Sequence, residues 1–146
     1  MATQLNVPLV AQINYEKSWY AAACMVNSYY RPGARFWAPD VEGPGVGVLQ
    51  ALHFGLLTEM GLTPINYAGK WEAKYIETVL NTRGPMVCIG YWSGLLSAIV
   101  VTGIDKDRIF YNDSVEPAVK ADKVAWFNQY LIDYCHNVMV KDPSSL

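Results

Sequence analysis

The second half of this chain is crowded with short β-rich runs, and that crowding limits the fold more than any other feature. Met86–Tyr91, Ser97–Ile104 and Arg108–Asn112 read as strands, with Asp105 to Asp107 as the hairpin turn between the last two. Val124–Ile132 predicts a short aromatic helix or irregular segment, and Tyr134–Val140 a final strand. The first half is patterned differently. Ala22, Met25, Val26 and Tyr29 fall at three- and four-residue steps, which predicts a helix from a cap at Ser18 to about Tyr30, ended by Pro32 and Gly33. A second helix is expected from about Val48 to Met60, stopped by Gly61. A third is expected over Lys70–Thr82, with Trp71, Tyr75, Ile76 and Leu80 inward. Leu5–Val10 reads as a strand or extended arm, Asn14–Lys17 as a turn and Thr63–Tyr67 as a short strand. Helices first and antiparallel strands afterwards imply an α+β fold, its helices packed on a C-terminal antiparallel sheet.

The 146 residues fit one domain, and no repeat or linker divides them. Half of them are hydrophobic and 16% are charged, which is enough apolar material for a core and too little charge for disorder. A net charge of −2 offers no basic field for phosphate backbones, so nucleic acid is not an expected partner. No apolar run reaches the roughly 18 residues of a membrane span. The start lacks the basic and apolar regions of a signal peptide, so the expected location is cytoplasmic, or secreted by a signal-peptide-independent route.

Cys24, Cys88 and Cys135 are odd in number and widely spaced, which argues against a disulfide framework or a zinc cluster. With only His53 and His136 and no ligand spacing, no metal or cofactor is expected. Gly43 to Gly47 lacks the Lys and the preceding strand of a phosphate loop and reads as a turn. The ten tyrosines and five tryptophans exceed what a small core requires, so some of them could line a recognition groove.

Four short stretches stand out. Val7-Pro8-Leu9-Val10-Ala11-Gln12 places Gln12 six residues before Ser18. Ser18-Trp19-Tyr20-Ala21-Ala22-Ala23 opens the first helix, and Ser97-Ala98-Ile99-Val100-Val101-Thr102-Gly103 opens a strand. Tyr111-Asn112-Asp113 places Asp113 sixteen residues after Ser97. In this order and spacing they resemble the papain-like cysteine peptidases, especially small bacterial ones among secreted effectors and bacteriocin-processing enzymes. Phe127-Asn128-Gln129-Tyr130-Leu131 is similar to a segment of the bacterial members. The resemblance implies an oxyanion-hole Gln at Gln12, a nucleophile position at Ser18, a histidine position at Ser97 and an orienting residue at Asp113. Trp19 and Asn112 would lie along the cleft.

In that family a thiol at a helix N-terminus beside an imidazolium persists as a thiolate, and the imidazole protonates the leaving amine. Here both reacting positions carry serine. A helix dipole worth ~0.3–1 kcal/mol cannot make an alkoxide as accessible as a thiolate, and Ser97 cannot act as a base. His53 and His136 read as structural or surface histidines, Cys24 and Cys88 as small core residues, and Ser18 as a helix cap as well as a former nucleophile position. If His136 lies in the last strand, its side chain and that of Cys135 point to opposite faces, which argues against a dyad. The implied function is a catalytically inactive pseudopeptidase that binds a protein or peptide in the former substrate cleft. Two alternatives stay open at this level: a bacterial cysteine peptidase, such as an effector toxin, inactivated by substitution, or an immunity or inhibitor protein on the same fold.

Overall fold

The computed structural model describes residues 2–9, 18–31, 57–67, 69–94, 96–113, 118–134 and 136–145. Gln12, Asn14 to Lys17, Gly43 to Gly47, His53 and Cys135 lie outside them, as does the predicted second helix except for its last turn, helical at 57–59.

The helices are α1 (Ser18–Tyr30), α2 (Ala73–Arg83) and α3 (Val124–Tyr130). The strands are β1 (Ala2–Gln4), β2 (Leu62–Pro64), β3 (Met86–Gly90), β4 (Ser97–Asp105), β5 (Arg108–Asp113), β6 (Ala118–Lys123) and β7 (Val138–Lys141). They form one antiparallel sheet in the order β2-β7-β3-β4-β5-β6, and β1 runs beside the far half of β4. This is the expected α+β arrangement, with several boundaries moved. The N-terminal strand forms at Ala2–Gln4, and residues 5–9 continue from it as an extended arm held by the Leu5 N–H on Thr102 O at 2.8 Å. The last strand starts four residues later than expected, at Val138, so His136 sits in a turn before it with its ring 5.6 Å from that of Tyr134. The opposite-faces argument against a Cys135–His136 dyad therefore does not apply.

β4 lies at the centre and is buried at every position but its last. Strand alternation divides its side chains between two cores. Ala98 and Val100 face α1, together with Val87 and Ile89 of β3 and Met139 of β7. The run Ala21-Ala22-Ala23 has side chains small enough to let the α1 backbone approach the sheet closely, while Trp19, Met25 and Val26 fill the remaining space. Ile99 and Val101 face the opposite way, toward Trp71, Ile76, Leu80 and Phe127. Stacked and edge-on rings extend this second core from Tyr75 through Tyr67, Trp71, Phe127, Trp92 and Trp126 to Tyr111. The Asn128 side chain clamps it by bonding both the N–H and the C=O of Trp71, each at 2.8 Å.

Gly90, at the end of β3, must be glycine for a packing reason. A methyl group there would sit 2.5 Å from Tyr130 O and 2.7 Å from the Trp92 ring. The absence of a Cβ lets the indole and the α3 end close over the strand that pairs with Ser97.

Candidate functional site

Ser18 is the first residue of α1 and is buried at 3% exposure. Its hydroxyl oxygen accepts a hydrogen bond at 3.0 Å from the backbone N–H of Ala98, the residue after Ser97. The β4–β5 ladder runs only from Val100 to Asp105, so Ala98 lies past its end, and the helix start supplies the acceptor. The sequence expectation was a cap that bonds its own helix. The described hydrogen bond instead crosses to the sheet and brings the Ser18 hydroxyl to the peptide group that joins Ser97 to Ala98.

Ser97 pairs with Gly90 across β3 and β4, is 9% exposed and makes no side-chain hydrogen bond among the described residues. Its place in the alternation puts it on the face of Ile99 and Val101. Val101 is opposite Tyr111, so Asp113, two residues further along β5, belongs to that same face and is a diagonal neighbour of Ser97. The Asp113 carboxylate is bonded to Lys120 Nζ at 2.9 Å. Asn112 turns to the other face. It is 1% exposed and donates to Val7 O at 3.2 Å, which fastens the N-terminal arm. Trp19 is also 1% exposed and lies in the α1 core. Both were expected along the cleft. Both are core side chains instead, one because a buried indole gains from packing, the other because a buried amide needs a partner.

Among the described groups, the N-terminus of α1 and the Ala98 N–H both direct positive partial charge at the Ser18 hydroxyl. A thiolate would be stabilised there. A serine hydroxyl gains less, because the N–H draws on the lone pairs with which it would attack, and no described base stands ready for its proton. The described thiols do not replace it. Burial raises the pKa of Cys24, partly offset by a hydrogen bond with Tyr20, and raises that of Cys88 well above its usual value. Both stay protonated at neutral pH. Among the described residues no cluster of His, Cys, Asp or Glu could hold a metal ion, and no helix is long and apolar enough to cross a membrane.

A second feature was not legible in the motifs. An open groove of about 700 Å³ lies between the loop after β2 and the loop after α3, lined among others by Tyr67, Lys70, Leu131, Ile132, Asp133 and Tyr134. Ser18, Ser97 and Asp113 do not line it, whereas Asn128 and Leu131 of the Phe127–Leu131 segment do. Leu131 bridges to Gly90, and Gly90 pairs with Ser97, so the groove rim stands two strand spacings, about 10 Å, from Ser97. Tyr91, Tyr130 and Tyr134 are exposed around it.

The model of the family described as papain-like cysteine protease AvrRpt2 matches residues 1–132. The chain belongs to that family. Its fold agrees with a solved papain-like structure, a double glycine motif protease from an AMS/PCAT transporter in complex with the leader peptide. That protein is 17% identical, with a TM-score of 0.62 over 95% of this chain and 92% of the other. No curated protein matches this chain.

Proposed function

We propose that this papain-like chain is a catalytically inactive pseudopeptidase that holds a protein or peptide in its former substrate cleft without cutting it. One observation carries the reading: the helix-start position where the family mechanism needs a thiolate holds a serine hydroxyl bonded to Ala98 N–H, with another serine at the neighbouring histidine position. In a serine protease, loss of the nucleophile or of the base alone lowers kcat by on the order of 10⁶. Both are replaced here. The partner class follows from the kept scaffold, from the exposed tyrosines beside the groove, and from the peptide bound to the structural relative.

The test is to assay the chain and its Ser18→Cys/Ser97→His variant against peptide libraries, with binding measured in parallel. The parent should retain peptides and release no product, and the double variant should cleave what the parent retains. Turnover by the parent, or a parent that binds no peptide at all, would overturn the reading.

A further inference from the structure

We propose that the pole of the sheet opposite Ser97 is an anion site, where Lys141, Arg31 and Arg83 take a phosphate group, free or carried by a small molecule. Three chain ends build it. β3 and β4 are antiparallel, so Met86 lies at the end of β3 remote from Gly90 and Ser97. Val87 pairs with Met139, which carries Lys141, the last residue of β7, past the start of β3 at that same end. The last turns of α1 and α2 meet there too. The Tyr30 hydroxyl donates to Arg83 O at 2.9 Å, and a methyl group on Gly84 would overlap that hydroxyl.

Lys141 is 8% exposed, and its Nζ donates to Asn27 Oδ1 of α1 at 2.6 Å. That acceptor is neutral and is held in place by its own amide, which donates to Met60 O at 3.2 Å. Arg31 stands one helical turn beyond Asn27, its N–H on Asn27 O at 3.0 Å. Arg83 closes α2, and its Nε is buried without a hydrogen-bond partner. None of these three cations forms an ion pair among the described residues. Asp142 Oδ1 takes the N–H and the hydroxyl of Ser144. Those bonds, and after them the fields of Arg83 and Lys141, hold the Asp142 carboxyl below its usual range, so both cations act on one point. Burial and then the field of Arg31 lower the proton affinity of Lys141.

Helix C-termini favour cations, which accounts for the positions of Arg31 and Arg83. It does not account for an ammonium drawn out of water onto a neutral amide, nor for an arginine Nε with no acceptor. Both call for a negatively charged oxygen. Three cations against one carboxylate leave an excess of positive charge in a chain whose net charge is −2. A phosphate group carries about −1.5 to −2 at neutral pH, matches that excess and offers an oxygen to each donor.

The Arg83 Nε–H signal in a nitrogen–proton correlation spectrum reads the site directly. Inorganic phosphate, added at constant ionic strength, should shift it saturably, and chloride should not. Glycerol phosphate titrated in parallel separates the sources, the tighter of the two being the form the site takes. Arg31→Gln, at an exposed position, and Lys141→Met, which puts an apolar chain in place of the buried cation, should each weaken phosphate binding about tenfold. A shift that chloride reproduces, one that does not saturate, or an unchanged affinity in either folded variant would overturn the proposal. Should Lys141→Met fail to fold, the Arg31→Gln arm stands by itself. The readout lies at the far end of the sheet from Ser97, so it does not depend on whether the chain holds or cuts a peptide.

Discussion

The two faces of the sheet solve the packing problem in opposite ways. Under α1 the contact is made by small side chains, Ala21, Ala22, Ala23 and Ala98, with Trp19 as the one fully buried ring among the described residues and Tyr20, Tyr29 and Tyr30 packed at its margin. Close approach matters there because the start of α1 must reach the Ala98 N–H. On the other face Trp71, Trp92, Trp126, Phe127 and Tyr111 fill a wider space with rings, and the helices above them are shorter or less buried. The α1 face sets the position of one backbone. The aromatic face supplies bulk under the groove and on the side of the sheet that carries Ser97. A position on the first should resist added volume, and a position on the second should resist its removal.

The largest effect separates these directly. Phe127 is fully buried among Trp71 and Trp92, so Phe127→Ala should cost about 3–5 kcal/mol in urea unfolding. On the other face Ala22→Leu should cost about 1–3 kcal/mol by overpacking, against almost nothing for Ala22→Gly beyond its helix propensity of roughly 1 kcal/mol. If Ala22→Leu is tolerated without loss, α1 is not seated as closely as the structure has it and the contrast fails.

The same contrast explains how much could be read in advance. The α1 pattern was legible because its apolar steps and its alanines are local signals, and so were the runs of β3, β4 and β5, whose β-branched residues are buried on both faces. β6 was missed. Its sequence, Ala-Val-Lys-Ala-Asp-Lys, holds a single β-branched residue and gave no strand signal, yet it is an edge strand, where lysine and aspartate are tolerated and discourage further pairing. The end of β7 was missed at Lys141, a buried lysine that bonds Asn27 Oδ1 at 2.6 Å, 114 positions away, a partner no window could show. At the site, the motif order marked Ser18, Ser97 and Asp113. It carried no sign that Lys120 reaches Asp113, because that contact depends on the unforeseen strand. The Phe127–Leu131 segment supplied Asn128 and Leu131 to the groove, but its opposite wall, from Ile65 to Lys70, comes from the loop after β2 and could not be joined to it from the sequence.

A middle-sized effect tests the contact at the heart of the site. Ser18→Ala leaves the Ala98 N–H, on a residue 2% exposed, without its acceptor, which should cost about 1–3 kcal/mol. Ser18→Cys keeps a weak acceptor at the same place and should recover part of that loss. Equal stability of Ser18→Ala and the parent would mean that the helix start does not anchor the strand in solution.

The smallest effect is a slope rather than a step, and it again compares the faces. Cys88 lies fully buried on the aromatic face, and burial holds its thiol protonated well above the usual range. Cys24 on α1 is raised too, but its hydrogen bond with Tyr20 opposes the shift. Above pH ~9 the unfolded chain releases thiol protons that the folded chain keeps. The native state then binds more protons than the unfolded one, and stability falls as pH rises, by up to about 1.4 kcal/mol per pH unit for each such thiol. Cys88→Ala should remove one thiol's share of that fall between about pH 9 and 10, and Cys24→Ala a smaller share. The comparison is of slopes, since the neutral-pH cost of each cavity cancels. Tyr111, raised mainly by burial and further by its hydrogen bond to Asp122, continues the decline above pH ~10 in every variant. Identical slopes for the parent and Cys88→Ala would show that the β3 thiol meets water, and the closed aromatic face would then be the wrong picture of that side of the sheet.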